Sequence, residues 1–420
     1  MNRLIQFKPV VPPFLISLVL ACFGLLPQMQ ALPPEIPGNP DGCYPAFTTA
    51  EGCSALALLG SGIGNTAIGW YSLFSDGDAS FNTGVGAGAL ALTTTGANNN
   101  TAVGTAAMLL NTSGHDNTAV GTDALLYNDS GSYNSAVGVR ALYSNIDGTN
   151  NSAFGHVALF YNIRASGNTA IGDSALLNND ITGNGLGIFN TAVGVGALIE
   201  NTDGVGNVAV GTGAGGGITT GIYDVAVGFA TGTGITTGTN IIAIGAFVSG
   251  VSTGLGEISN SCYIGNIHGQ PFDPGGAPAF VQVDADGKLG TIPSSWRFKK
   301  DIKPMNQASE ALLALTPVTF HYNYDKKDTP QFGLIAQEVE EVKPDLVTRD
   351  KEGKLYSVRY DQVNAMLLNE FLKEHRKVEK QQKEIDALKA ELKEQRTLIQ
   401  EVSDKVELNK LALQTIVTNQ

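Results

Sequence analysis

Asn117-Thr118-Ala119-Val120-Gly121 is one copy of a five-residue pattern that decides the fold of the N-terminal half of this chain. The copies on either side are Asn100-Thr101-Ala102-Val103-Gly104 and Asn134-Ser135-Ala136-Val137-Gly138. The final glycines of successive copies lie 17 residues apart, except for one step of 18 residues and one of 22. A fixed period of this size is typical of a solenoid, in which every repeat forms one coil. The remaining copies end at Gly69, Gly86, Gly155, Gly172, Gly194, Gly211, Gly228 and Gly245.

Each repeat contains two short apolar segments, which Asn, Gly, Ser and Thr separate. The first is the Ala-Val or Ala-Ile of the pattern, and the second is an Ala-Leu pair such as Ala124-Leu125. We expect two short strands in each coil, with Val, Ile and Leu directed inward and Ala where space is tight. Glycine would end each strand where the corner needs a positive φ, and stacked Asn side chains would form a hydrogen-bonded ladder. The repeats therefore predict a mainly β half that folds as a parallel β-solenoid over residues 61–250.

The repeats resemble the head repeats of trimeric bacterial adhesins of the YadA type, in which three chains form a parallel β-roll. The resemblance implies a homotrimeric, fibre-like shaft that meets a cell-surface or glycan target. A solenoid that binds carbohydrate or an ice surface stays open as an alternative, although ice binding favours a flat Thr-x-Thr array and Val or Ile holds the second position here. A calcium-binding β-roll is disfavoured, because its Asp-bearing nonapeptide does not occur in the repeats.

Residues 1–31 have the composition of an export signal. Arg3 and Lys8 supply positive charge, an apolar run follows, and Ala31 offers a small residue for cleavage. The run is shorter than the roughly 20 residues that a transmembrane helix needs. Val19-Leu20-Ala21-Cys22 resembles a bacterial lipobox, so lipidation of Cys22 is the alternative. Either reading predicts a secreted or cell-surface protein, attached to a membrane only if Cys22 is lipidated.

Two segments flank the repeats. Residues 32–60 begin with Pro33-Pro34-Glu35-Ile36-Pro37-Gly38 and are predicted to be a Pro/Gly-rich linker. Over residues 251–293 the repeat decays, and Asp286-Gly287 stands between alternating apolar residues, which is a hairpin signal. This second segment is predicted to form a short β collar that ends the shaft.

The charge of the chain is unevenly distributed. Residues 1–293 hold 5 basic and 18 acidic residues, whereas the rest of the chain holds 21 of each, so the net charge of −13 belongs to the N-terminal part. No basic stripe is available to neutralise phosphates, which argues against a nucleic-acid partner. Four cysteines are too few for a disulfide scaffold, although Cys43 and Cys53 would form one small disulfide in an oxidising compartment. No Cys/His cluster has metal-ligand spacing, so we expect neither a metal nor another cofactor.

The composition changes at Ser294-Ser295-Trp296-Arg297-Phe298-Lys299-Lys300-Asp301-Ile302. This stretch resembles the start of the intramolecular chaperone auto-processing domain at the C-termini of phage endosialidases and tailspikes, whose usual pattern is Ser-Asp-x-Arg-Leu-Lys-x-x-Ile. Phe332-Gly333-Leu334-Ile335-Ala336-Gln337-Glu338-Val339 resembles the most recognisable internal motif of that family. Together these motifs predict a small α/β chaperone domain over residues 294–372.

The resemblance also implies a chemistry for the junction. The chain would cleave itself once, between Pro293 and Ser294, as a single-turnover serine endopeptidase with no external substrate. Ser294 would be the nucleophile and Lys299 the base that takes its proton. Lysine serves as a base only in its neutral form, which burial or the neighbouring cations Arg297 and Lys300 would favour. Ser295 stands where the family pattern has Asp or Asn, so it remains an alternative nucleophile.

The tail has a heptad pattern. Over residues 373–416 one seam carries Val378, Ile385, Leu392, Ile399 and Val406, and the second seam mixes Leu388 and Val402 with polar residues. This spacing predicts a coiled coil, and a parallel trimer would suit a chaperone that aligns three chains. A long solvated helix that packs on its own domain is the alternative.

Taken together, the sequence predicts an exported, homotrimeric, adhesin-like or tail-fibre-like protein. Its C-terminal domain would act as a trimerisation chaperone and then release itself by autoproteolysis. The alternatives are a structural fibre that has lost cleavage, and a carbohydrate- or ice-binding solenoid in which processing is incidental.

Overall fold

The computed structural model describes residues 43–44, 47–94, 96–252, 255–268, 280–284, 286–350 and 352–417, with side chains from residue 47 to residue 410. The predicted signal peptide, the lipidation alternative at Cys22, most of the predicted linker and the Cys43 side chain of the predicted disulfide lie outside these residues. The chain divides into two compact units, Met1–Gly269 and Gln270–Gln420. In the described part of the chain, no helix has both the length and the apolar character needed to cross a membrane.

The first unit is a β-solenoid, as the period predicts. Its sheet has 14 strands in chain order, of which β1 pairs antiparallel with β2 and all later neighbours pair in parallel. The sheet therefore begins before residue 61 and continues beyond residue 250. The strands are β1 Cys43–Tyr44, β2 Thr48–Glu51, β3 Thr66–Ile68, β4 Thr83–Val85, β5 Thr101–Val103, β6 Thr118–Val120, β7 Ser135–Val137, β8 Ser152–Phe154, β9 Thr169–Ile171, β10 Thr191–Val193, β11 Val208–Val210, β12 Val225–Val227, β13 Ile242–Ile244 and β14 Cys262–Ile264.

The inward residue of each strand differs from the prediction. In β6 the central Ala119 is 0% exposed, whereas Val120 is 37% exposed and faces outward. Because side chains of a strand alternate between its two faces, a three-residue strand sends only its central residue inward. The expectation that Val and Ile point inward is therefore wrong, because the coil interior has room only for a methyl group at this position.

The second apolar segment is also not a strand. Asp123 and Leu125 both have positive φ, of 56° and 53°, so the chain turns repeatedly. The Leu125 amide donates to Ala141 O of the following coil at 2.9 Å, and the Asp123 amide donates to Thr105 O of the preceding coil at 3.0 Å. The segment thereby satisfies its backbone on both neighbours while Leu125 fills the core.

Two columns of buried Asn residues run through the solenoid. In the first, the Asn117 amide donates to Asn100 Oδ1 at 3.0 Å and Asn117 Nδ2 donates to Gly131 O at 2.8 Å. In the second, Asn145 Nδ2 donates to Asn128 Oδ1 at 2.8 Å. These bonds confirm the predicted Asn ladder. Buried amide groups need hydrogen-bond partners, and in these columns adjacent coils supply partners for one another.

Two aspartates stand in these columns in place of Asn. Asp224 follows Asn207 in the first column, and its Oδ1 accepts the Ile241 amide at 2.8 Å. Its Oδ2 is buried without a partner, and burial raises the pKa of Asp224 to about 6. Burial likewise raises the pKa of Asp76, in the second column, to about 7. In the folded chain both carboxyls therefore keep their proton to a higher pH than they do in the unfolded chain.

Several coils also contain a corner where consecutive amides converge on one acceptor. Asp129 O accepts the amides of Thr112 at 3.1 Å, Ser113 at 2.8 Å and Gly114 at 3.2 Å. Such a nest of amides also attracts anions. At the corner formed by residues 236–238, the acceptor is Glu257 Oε1, which lies 2.8 Å from the Thr236 amide. A carboxylate there replaces the carbonyl of a further coil.

The glycines that end the strands are required by close backbone packing. Gly121 has a φ of 137°, and a Cβ at this position would lie 2.5 Å from Gly138 O of the next coil. A side chain would both strain the backbone and separate the coils.

The second unit is a small α/β fold, as predicted. Its core contains the buried side chains of Val339, Leu346, Val347, Val358 and Met366. The described residues of this unit contain three antiparallel strand pairs, of which the first, β15 with β16, folds around the predicted Asp286-Gly287 hairpin. The elements are β15 Val281–Val283, β16 Leu289–Thr291, a 3-10 helix Trp296–Phe298, a 3-10 helix Asn306–Ala314, β17 Val318–Phe320, β18 Gln331–Gly333, α1 Ala336–Val342, a 3-10 helix Pro344–Leu346, β19 Val347–Arg349, β20 Leu355–Val358 and α2 Tyr360–Val417.

Candidate functional site

The predicted cleavage junction forms one tight turn. The 3-10 helix Trp296–Phe298 begins after Ser295 and ends before Lys299, and both of these flanking residues are extended. The Phe298 amide donates to Ser295 O at 3.0 Å, and the Lys299 amide donates to Trp296 O at 3.0 Å. A single 3-10 turn advances about 2 Å per residue, so it keeps the residues before and after it within side-chain reach.

This turn brings the two predicted site residues together. Lys299 Nζ lies 3.1 Å from Ser294 Oγ, within hydrogen-bonding distance. The same separation would let a neutral Lys299 amine accept the hydroxyl proton of Ser294. Pro293 directly precedes Ser294, so the bond proposed for cleavage is adjacent to this pair.

Ser295 has a different place in the turn. Its backbone carbonyl closes the 3-10 helix, and its side chain makes no capping hydrogen bond. The Lys299 side chain contacts the hydroxyl of Ser294. The contact of the Lys299 side chain is thus with Ser294, and the choice of nucleophile between the two serines stays a prediction.

The junction is open to water in the single chain. Every residue from 291 to 300 is exposed, and Trp296 is 82% exposed. The Arg297 guanidinium lies 4.6 Å from the centre of the Phe298 ring, a cation–π contact on the surface. Phe298 and Ile302 are exposed as well, so the segment that holds the Ser294–Lys299 pair presents apolar side chains to solvent.

A polar cluster that the sequence did not indicate joins the second 3-10 helix to α2. Buried Ser309 donates its hydroxyl to Glu370 Oε1 at 2.5 Å and accepts from Asn369 Nδ2 at 2.6 Å. Lys373 forms ion pairs with Glu370 at 2.7 Å and with Glu310 at 3.2 Å. The hydrogen bonds from Lys373 and then from Ser309 hold the pKa of Glu370 below its usual range. This cluster fixes the start of the long helix to the domain.

A second contact fixes the internal motif to the same helix. The Leu334 amide donates to the Tyr360 hydroxyl oxygen at 3.0 Å. A Cβ at Gly333 would lie 2.9 Å from that oxygen and 3.2 Å from Phe320 Cε1. Gly333 therefore permits the close approach of β17, β18 and α2.

In the part of the chain that the structure describes, no group of three or more His, Cys, Asp or Glu side chains is arranged to hold a metal ion.

Comparison with known proteins identifies the domain that holds this pair. Residues 294–348 match the Peptidase_S74 family, described as chaperone of endosialidase. No curated protein and no solved structure gives a significant match to the chain. The match begins at Ser294 and includes both Lys299 and the internal motif around Gly333. Residues 294–348 therefore form an intramolecular chaperone domain of the chaperone of endosialidase family.

Proposed function

We propose that this chain is an exported homotrimeric fibre whose C-terminal domain aligns three chains and then releases itself by cleavage between Pro293 and Ser294. The chaperone domain and the β-solenoid together fit a tail-fibre-like protein. The observation that carries the cleavage step is the 3.1 Å contact between Lys299 Nζ and Ser294 Oγ at the first residue of the family match.

The proposed reaction begins with an N-to-O acyl shift. Ser294 Oγ attacks the carbonyl carbon of Pro293, and the neutral Lys299 amine takes the hydroxyl proton. The new C–O bond forms an ester, the C–N bond to Ser294 breaks, and the nitrogen leaves as the α-amine after receiving a proton from the Lys299 ammonium. Water then hydrolyses the ester. The products are a shaft that ends in the Pro293 carboxylate and a released domain that begins at Ser294.

Homo-oligomer assembly is supported by how little the second unit buries. Among its described residues the core holds five buried apolar side chains, while Trp296, Phe332 and Leu313 are each at least 78% exposed. Every residue of β15 and β16 is exposed as well. A two-stranded hairpin without a covered face is marginal in water. We expect further copies of the chain to cover these surfaces.

The long helix supports the same conclusion. Its predicted seam residues Val378, Ile385, Leu392, Ile399 and Val406 are each at least 45% exposed. A helix in water gains most of its stability by packing an apolar face. A coiled coil with two further copies would cover this seam.

A chaperone that cleaves itself off has a physical purpose. Non-local β pairing between chains is slow and exposes aggregation-prone edges. A C-terminal domain that brings three chains together would start the shaft in one arrangement. Removal of the domain would then leave the shaft kinetically stable, because a shaft that unfolded could no longer reassemble through the domain.

The test is expression of the full chain followed by a denaturing gel and mass spectrometry of the fragments. We expect a fragment that begins at Ser294, absent from Ser294→Ala and Lys299→Ala. Matched controls are Ser295→Ala and Lys300→Ala, which should still cleave. An intact wild-type chain that is nevertheless trimeric would instead support the non-cleaving fibre. A fragment lost on Ser295→Ala but kept on Ser294→Ala would assign the nucleophile to Ser295.

A further inference from the structure

The residue just before each member of the first Asn column occupies a special backbone position. Its amide donates to the preceding coil, as that of Tyr133 does to His115 O at 3.1 Å and that of Tyr223 to Val205 O at 2.9 Å. Its φ lies between 57° and 73° in ten successive coils. The residues at this position are Gly64, Phe81, Asn99, Asp116, Tyr133, Asn150, Gly167, Phe189, Gly206 and Tyr223.

Four of these ten residues do not suit that backbone. Positive φ is ordinary for Gly, Asn and Asp, which hold the position in six coils. The other four residues are aromatic, and together we call them the aromatic row: Phe81, Tyr133, Phe189 and Tyr223. Leu125 also has positive φ, but it fills the core, whereas each ring of the row is at least 55% exposed. Strain at an exposed position is a mark of function rather than of core packing.

Glycines of the preceding coils make room for the rings. A Cβ at Gly206 would lie 2.6 Å from Cδ1 of Tyr223 and 2.8 Å from its Cε1. The same two distances separate Gly167 from the ring of Phe189. Each of these rings therefore rests by its edge on the backbone of the coil before it, in a fixed place on the shaft, and remains open to solvent.

The rings are spaced apart along the shaft. Phe189 and Tyr223 lie two coils apart, about 10 Å, and the whole row from Phe81 to Tyr223 spans about 40 Å. The coils between them carry Gly, Asn or Asp at this position, so the rings do not merge into one apolar patch. A protein partner would be expected to meet a contiguous apolar centre. Separate aromatic platforms along a line instead suit an extended chain of small units.

The surroundings of the row are polar and almost uncharged. Asn99 and Asn150 stand exposed between the rings, and Asp116 is the one charged residue at this position. A pyranose has an apolar C–H side and a rim of hydroxyls, so it matches an aromatic ring beside hydrogen-bonding amides. Residues 1–293 contain 5 basic and 18 acidic residues, which disfavours an anionic sugar.

We propose that the aromatic row binds a neutral polysaccharide that runs along the shaft, with a sugar residue against each ring. Two sugar residues of an extended chain cover about the distance between Phe189 and Tyr223. One ring alone would bind weakly, but a single chain that meets several rings gains by effective concentration. The inference goes beyond the proposed assembly and cleavage and depends on neither.

The test is affinity electrophoresis of the full-length chain in native gels that each contain one polysaccharide. The neutral probes are hydroxyethyl cellulose, xylan, galactomannan and dextran, and alginate is the anionic probe. We expect at least one neutral probe to retard the chain more than alginate does. Phe189→Asn combined with Tyr223→Asn should weaken that binding at least about tenfold, because two platforms are lost. Asn already holds this position in other coils, so the backbone is preserved.

Two control variants separate the row from aromatic residues in general. Phe229→Asn combined with Phe247→Asn removes rings that are 51% and 73% exposed elsewhere on the shaft, and it should leave the retardation unchanged. Phe189→Tyr combined with Tyr223→Phe keeps both rings and should also bind like the wild type. Circular dichroism, thermal unfolding and light scattering report the folding and mass of every variant.

The contrary outcomes are distinct. A wild-type chain that no neutral probe retards would overturn the proposal. Equal retardation of the Phe189→Asn, Tyr223→Asn variant with a lower melting temperature would show that the rings only cover the glycines. Unchanged retardation with a smaller oligomer would assign the row to contact between copies. The fragment that begins at Ser294 is measured separately, so neither result bears on cleavage.

Discussion

Glu257 accepts the backbone amide of Thr236 at 2.8 Å and thereby occupies the corner that a further coil would otherwise complete. Its Oε1 also accepts the amides of Thr237 and Gly238. Burial of the carboxyl acts to raise its pKa, but the hydrogen bonds from residues 236–238 outweigh it and the pKa is lowered. The side chain thus ends this column of backbone hydrogen bonds with a charged acceptor.

Glu257→Ala is expected to loosen the last coils. Loss of the acceptor leaves the three amides of residues 236–238 without their shared partner. The local stability of this corner should fall by about 1 kcal/mol, which raises the equilibrium constant for local opening roughly fivefold. Hydrogen exchange of these amides should accelerate by about that factor. Glu257→Gln keeps a side-chain oxygen, so its amide exchange rates should lie between those of the wild type and those of Glu257→Ala. Unchanged exchange in Glu257→Ala would contradict the capping role.

Asp224→Asn is expected to stabilise the solenoid and to flatten its pH dependence. The pKa of Asp224 is raised from 3.8 to about 6 by burial. The folded state therefore holds its proton more tightly than the unfolded state, so stability falls as the pH rises from about 4 to about 6 and then levels off. At neutral pH, where the carboxyl is ionised, the substitution should raise the free energy of unfolding by about 1 kcal/mol once solvent screening is allowed for.

Thermal unfolding between pH 4 and pH 8, at one protein concentration, measures this effect. Asp76→Asn should remove a similar pH dependence of stability. Here the pH range extends to about 7, because burial raises the pKa of Asp76 to about 7. Asp147→Asn is the control, since Asp147 is exposed. Equal pH dependence in wild type and Asp224→Asn would show that the ladder tolerates the ionised carboxylate.

Lys299→Arg is expected to abolish cleavage while the chains still assemble. Arginine retains the positive charge and can donate to Ser294 Oγ, but it stays protonated and cannot act as the base. Any residual cleavage above about one-hundredth of the wild-type rate would show that Lys299 only orients the serine. Hydroxylamine added during processing of the wild type should trap the ester and leave a hydroxamate on Pro293. Absence of this product at full cleavage would exclude the acyl shift.

Ser309→Ala is expected to detach α2 from the domain. The substitution removes the hydroxyl that accepts a hydrogen bond from Asn369 and donates one to Glu370. Both of these residues lie on the first part of α2. The urea midpoint of the C-terminal unit should fall, and the oligomer should lose mass on dilution. Ser403→Ala, at an exposed position of the same helix, is the control. A normal midpoint in Ser309→Ala would show that apolar packing alone holds the helix.

The same cluster predicts acid sensitivity. Lys373 and Ser309 lower the pKa of Glu370 in the folded chain. The contribution of Glu370 to the free energy of unfolding is therefore present above the pKa of this group in the unfolded chain. It is lost as the pH falls through the lower pKa of the folded chain. Glu370→Gln should therefore show less loss of stability on acidification than the wild type does. Greater acid sensitivity in the variant would contradict the assigned direction.

The sequence predicted the solenoid because its period directly reflects a physical repeat. Asn117 recurs at one position of the coil, so its ladder could be expected before any geometry was known. The direction of Val120 could not, because a hydrophobicity pattern favours Val over Ala for the core. The size of the coil interior decides which of the two side chains is buried. In this repeat the interior holds Ala119 and the Ala124-Leu125 pair.

The candidate site was predicted for a similar reason. Ser294 and Lys299 are five residues apart, and one tight turn is enough to join them. Ser309 and Glu370 are 61 residues apart, and neither belongs to a motif. Their contact depends on how the second 3-10 helix packs on α2, which local patterns do not encode.

The Asn columns have a consequence for how such a molecule changes over generations. Asn117 bonds only to groups of the coils immediately before and after it, so every coil makes the same connections on both sides. Removing residues 122–138 would rejoin equivalent positions and shorten the shaft by about 4.8 Å. Duplication of the same segment would lengthen it by that amount. Fibre length is therefore a quantity that recombination between identical modules can adjust in whole steps, while both ends keep their own chemistry.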